Sequence, residues 1–154
     1  MRKIRTLLAA FMVLLVLSGL TAFPLLTELN MLASIVAKAD WPPDALRQWI
    51  LAVRDGLADT YARYPFIAYG TDWLAFGHLV IALFFVGPLQ DPIKNVWVIH
   101  AGLIACAAVI PLAFICGPIR EIPFYWRLID CSFGVCGFLL LWYILKLIRQ
   151  EGRD

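Results

Sequence analysis

"NVWVIHAGLIACAAVIPLAFICGPI", Asn95 to Ile119, contains no Asp, Glu, Lys or Arg. A helix rises 1.5 Å per residue, so this stretch is longer than the roughly 30 Å hydrocarbon core of a bilayer. A surface helix of a soluble domain needs a polar face, and His100 alone does not supply one. The stretch therefore reads as a membrane span, and its neighbours agree. Trp73 to Gln90 carries no charged residue, nor does Thr6 to Thr27, and Leu128 to Leu145 is interrupted only by Asp130. The chain of 154 residues is 62% hydrophobic, against nearer half in soluble domains. The fold class that follows is all-α: a polytopic membrane protein forming a single membrane domain, 1–154. Its four transmembrane helices fall at about 4–23, 71–86, 93–116 and 127–147. The apolar run of the first exceeds a signal-peptide h-region of about 7–15 residues.

Between the first and second spans, at about 28–70, lies an extracytoplasmic loop with an amphipathic helix. "DWPPDALRQWILAVRDGLADTYARYP", Asp40 to Pro65, places Leu46, Ile50, Val53, Leu57, Tyr61 and Tyr64 on one stripe. Arg47, Arg54, Asp55, Asp59 and Arg63 lie mainly off it. Asp40 reads as the N-cap, with two prolines in the first turn. Trp41 and Trp49 suit the headgroup zone, so this helix lies on the outer membrane face or caps the bundle. Before it, Pro24 ends or kinks the first span, and Leu25, Leu29, Leu32 and Val36 recur at helical spacing as a short second helix or a bent continuation.

Net charge is +2, which gives no case for nucleic acid. Phosphate-cradling glycine loops, GxSxG and HExxH are absent from the sequence. Arg2, Lys3, Arg5, Lys94, Lys146, Arg149 and Arg153 cluster at the span ends that would share one side; most acids fall on the other. By the positive-inside rule both termini are expected in the cytoplasm.

Three constellations could carry chemistry. The first is an outer-leaflet polar cluster of Asp72, His78, Arg120, Glu121, Arg127 and Asp130, with Glu28 at the same depth. A carboxylate inside the apolar layer is costly and normally pairs. Asp130 with Arg127, and Asp72 with Arg120, are the pairs the spacing suggests, either as a lock on the bundle's outer end or as a binding site. The second is His78 with His100, each about seven residues into its span. They offer a metal or proton relay, or two imidazoles bonded within the bundle. Haem fits poorly, because neighbouring helices about 8–10 Å apart leave no room for a porphyrin. Two histidines do not complete a closed zinc site, and no cofactor is expected. The third is thiol redox at Cys116 and Cys131, which approach the outer surface; Cys106 and Cys136 lie deeper. No CxxC occurs, and buried cysteine commonly acts as a small hydrophobe. Small residues mark a close approach of the third and fourth spans, by Ala101, Ala105 and Ala108 on one and Asp130, Gly134 and Gly137 on the other.

"YPFIAYGTDWLAFGH" (Tyr64 to His78) and "GPIREIPFYWRLIDCSFG" (Gly117 to Gly134), with "GPLQDPIKNVWVI" between them, are similar to a family of small multi-pass bacterial inner-membrane proteins of uncharacterised activity. The resemblance implies a bacterial inner membrane location and carries no catalytic residue. Three functional expectations follow. The first is a non-enzymatic accessory or scaffold subunit, in contact with the bilayer and with a membrane protein partner or a homo-oligomer copy. The alternative is binding or translocation of a small solute, ion or proton at the outer polar cluster. Membrane thiol redox stands third.

Overall fold

The computed structural model describes residues 1–151, and they form seven α-helices, one 3₁₀ turn and no strand. Arg153, counted above among the cytoplasmic cations, lies outside the described residues. The helices are α1 Arg2–Ala22, α2 Leu25–Lys38, α3 Asp44–Arg63, α4 Ala68–Phe84, α5 Val86–Gln90, α6 Val96–Ile119 and α7 Phe124–Glu151. Four stretches are long and apolar enough to cross a membrane: Arg2–Ala22, Pro65–Gln90, Val96–Ile119 and Phe124–Glu151. They fall on the four stretches expected to span, and α3 is the helix expected between the first two.

The boundaries follow local chemistry. Pro24 stands between α1 and α2, as expected of a residue without an amide donor. Gly87-Pro88, a pair that commonly marks a turn, lies inside α5. The helix breaks one step earlier, at Phe85, so Pro88 falls in a first turn whose amides have no intrahelical acceptor anyway. The turn itself is Asp91–Asn95. There Asn95 Nδ2 donates to the carbonyls of Gly87 (3.1 Å) and Asp91 (3.0 Å). Asp91 Oδ1 accepts the Lys94 amide at 3.0 Å, and that bond, together with the Lys94 ammonium, holds the Asp91 carboxyl below the usual carboxylate range. Asp40 does not cap α3. Pro43 occupies that position without a side-chain bond, and Asp44 sets a negative charge in the first turn.

The chain divides into two compact units, Met1–Leu14 with Ala82–Asp154, and Leu15–Ile81. In the first, α6 and α7 pack side by side. A Cβ on Gly134 would come 2.7 Å from the Cys106 carbonyl, and one on Gly137 would come 2.9 Å from Cys106 Sγ. The core here is Ile4, Leu8, Phe11, Phe85, Ile99, Leu141 and Ile144, with the Phe11 and Phe85 rings 4.8 Å apart. Gly134 and Gly137 are thus the contact predicted for the fourth span. The matching face of the third is different: Ala101, Ala105 and Ala108 are exposed, and Gly102, Cys106 and Val109 meet α7. Glycines on α7 permit the close approach, and α6 meets them with Cys106 and Val109, while Gly102 gives room to Leu141.

In the second unit α2 and α3 form a hairpin over Ala33, Val36 and Ile50. Arg47 closes it, donating from Nη2 to the Ala39 carbonyl at the end of α2, 2.7 Å away. Tyr61 of α3 reaches α4 through Thr71, Oη to Oγ1 3.2 Å. Thr71 commits its own hydroxyl hydrogen to the Ala68 carbonyl, so Tyr61 is the donor. α1 crosses α4 at Gly19, where a Cβ would stand 2.9 Å from both the Ala75 carbonyl and His78 Cβ.

Candidate functional site

Asp72 and His78 belong to the Leu15–Ile81 unit; Arg120, Glu121, Arg127 and Asp130 belong to the other. Asp72 lies half-buried on the first turns of α4. His78 is ten residues into that helix, about 15 Å from its start. Its Nδ1 lies 2.8 Å from the Leu74 carbonyl, one turn back. A carbonyl oxygen only accepts, so Nδ1 is the donor in this bond. This is the self-contained imidazole anticipated among the histidine readings. His100 differs: it is exposed, and only four residues from the start of α6, or about 6 Å. The count of about seven residues into each span becomes ten for His78 and four for His100. α4 starts three residues earlier than expected and α6 three later.

The α6–α7 turn shapes the rest of the cluster. Its backbone closes as a Schellman motif: the Ile122 amide donates to Gly117 O (2.9 Å) and the Glu121 amide to Pro118 O (3.1 Å). Glu121 takes the left-handed position, φ 57°, that glycine usually fills. Arg120 and Glu121 both point into open surroundings. Arg127, one turn into α7, folds its stem across Gly117, where a Cβ would overlap it. Its guanidinium lies 5.4 Å from the Phe124 ring centroid, and its Nε is buried without a hydrogen-bond partner. Asp130 is half-buried one turn further on.

Among the described residues the ion pairs are Met1–Glu151, Arg54–Asp55, Arg63–Asp59 and Lys94–Asp91. The Asp130–Arg127 pair drawn from the sequence is not among them. The Arg127 side chain is drawn over Gly117 and the Phe124 ring, away from a carboxylate contact. All four cysteines are free; Cys116 is exposed and Cys131 buried. No group of three or more His, Cys, Asp or Glu is gathered to hold a metal ion among the described residues.

Two hollows lie elsewhere. One, of about 240 Å³, is lined by Cys106, Ala107, Ile110, Gly134, Val135, Phe138 and Leu139, where the α6–α7 seam opens outward. The other, of about 350 Å³, lies at the end of α7 and is lined by Trp142, Leu145, Lys146, Arg149 and Gln150. It was missed at the sequence level, where Lys146 and Arg149 served only as orientation charges. The signal was present, because Trp142, Lys146 and Arg149 recur at one helical face.

That end of the unit is tied together by polar contacts. Lys3 Nζ donates to Tyr143 Oη at 2.6 Å, Arg5 Nη2 donates to the Gln90 carbonyl at 3.0 Å, and the Met1 amine pairs with Glu151. The start of α1, the end of α5 and the end of α7 therefore meet at one end of this unit. No protein-family model, curated protein or solved structure matches the chain.

Proposed function

We propose that the chain is a non-enzymatic subunit of a bacterial inner-membrane assembly, multi-pass, with both termini in the cytoplasm. The observation that carries this reading is the outward face of α6. The helix is apolar enough to span, yet only 11% of its most apolar window is buried, against 28% for α7. Ala101, Ala105 and Ala108 form a small-residue strip on the exposed side, next to the exposed His100 imidazole. Lipid alone would be served by bulky aliphatics. Small residues beside a polar group suit close approach by another helix and a hydrogen bond across the seam. The wide exposure of Ile104, Leu112 and Ile115 flanking the strip adds apolar area to such a contact.

Native mass spectrometry of the chain extracted gently from its own membrane tests this. The reading expects a stoichiometric protein partner, or a second copy, that is lost in Ala105→Phe. A monomer carrying no other protein contradicts it.

A second reading rests on Arg127, whose buried Nε lacks a partner, and on Asp130 beside it on the same helix. These groups suit binding of a small anion or polar solute at the α6–α7 turn. In the same experiment, that reading expects a small bound mass that disappears in Asp130→Asn or Arg127→Gln while the fold persists.

A further inference from the structure

We propose that the C-terminal end of α7 binds the headgroup of an anionic phospholipid. The proposal rests on the membrane residence of the chain but not on its role as a subunit.

The hollow of about 350 Å³ there is lined by two cations, Lys146 and Arg149, one turn apart, with Gln150 beside them, Trp142 a turn earlier and Leu145 packed inward. The other cations of this end that make polar contacts are already engaged. Lys3 is on Tyr143, Arg5 on the Gln90 carbonyl and Lys94 on Asp91. The neighbouring acid, Glu151, is taken by the Met1 amine. Among the described residues, neither Lys146 nor Arg149 makes an ion pair. The carbonyl end of α7 favours cations at these positions, but its dipole amounts to only about half a charge. A net positive site remains.

The chemistry fits a phosphodiester. Arg149 can present two parallel N–H donors to phosphate oxygens, and Lys146 adds a mobile point charge. The side chains of Gln150 and Trp142 add neutral donors. The surroundings favour a lipid over a free anion. Trp142 is 52% exposed and Leu139, a turn closer to the middle of the span, 56% exposed, on the face that continues from the hollow. Acyl chains would lie along that face while the headgroup sits between the cations. Indole rings and basic residues at this level are the usual partners of the headgroup layer.

The test is native mass spectrometry of the full chain taken from phosphatidylcholine vesicles, titrated with phosphatidylglycerol. Phosphatidylglycerol is expected to be retained in preference to phosphatidylcholine. The double substitution Lys146→Gln with Arg149→Gln should weaken it roughly thirtyfold, about fivefold per cation. Arg149→Lys, which keeps the charge but loses the paired donors, should bind more weakly than wild type and more tightly than Arg149→Gln, and Lys94→Gln should leave binding unchanged. Circular dichroism of each variant in the neutral vesicles shows that the helices persist. Equal retention of both lipids, or retention untouched by the double substitution, overturns the site. Full displacement by inorganic phosphate also overturns it, in favour of a free anion. Failure of the wild type to enter phosphatidylcholine vesicles would instead remove the membrane reading on which the site depends.

Discussion

Glu121 occupies a left-handed backbone position, φ 57°, at the point where the Schellman motif ends α6. An L-residue with a Cβ is disfavoured there by roughly 1–2 kcal/mol, and glycine is not. Glu121→Gly is expected to stabilise the fold by about 1 kcal/mol, read as a higher thermal midpoint in detergent. Asp91 makes a pH-dependent contact. The Lys94 amide holds its carboxyl below the ordinary range, so the stabilisation is complete above the unfolded-state pKa. It is lost as pH falls through the lowered, folded-state pKa. The protection of the Lys94 amide, taken relative to its intrinsic exchange rate at each pH, should therefore fall on acidification over that window, and Asp91→Ala should abolish the dependence. At this scale the sequence was a partial guide. A histidine inside a span needs a bond within the protein, and His78 makes one to Leu74. Which carbonyl it would use depends on a rotamer, which spacing does not reveal. The Arg127 contact was misjudged for a related reason: three-residue spacing makes an ion pair possible, but the glycine beneath the stem offered it a competing place to lie.

The helices and their order were legible because hydrocarbon imposes length and apolarity on every span. Helix ends were less so. Gly-Pro at 87–88 and 117–118 reads as punctuation, yet both pairs sit inside helices, one in a first turn and one in a last. The facing of α6 was also missed. In a helix apolar all round, periodicity gives no inside and outside, so the alanine strip and the true seam through Gly102 and Cys106 looked equivalent. The seam makes a sharp prediction. Gly134→Ala drives a methyl toward the Cys106 carbonyl, which is backbone and cannot swing aside. It should cost about 1–3 kcal/mol of stability, whereas Gly56→Ala, in open space on α3, should gain up to about 1 kcal/mol. Thermal unfolding of the two variants side by side separates steric crowding from helix propensity.

At the scale of the molecule, an even number of crossings requires the two ends of the chain to share a side. The contacts of Met1 with Glu151 and of Lys3 with Tyr143 accord with that requirement. Cations gather at that end, with Arg5 and Lys94 near the α5–α6 turn and Lys146 and Arg149 on α7. The positive-inside rule is the ground on which that end is proposed to be cytoplasmic. The α2–α3 hairpin leaves Trp41 74% exposed, and in the topology proposed above it is extracytoplasmic. The spans and charges were read directly from the residues; what the outward faces of α6 and α7 meet was not, because a face's partner lies outside its own sequence. In the proposed topology the chain crosses the membrane four times with its basic end inside. Labelling by a membrane-impermeant maleimide tests it most directly, using single cysteines at Gln48, Arg120, Lys94 and Gln150 in a chain whose four native cysteines are replaced by alanine. The account predicts labelling of positions 48 and 120 in intact cells, and of positions 94 and 150 only after permeabilisation. Labelling of position 48 together with position 94 in intact cells would contradict it.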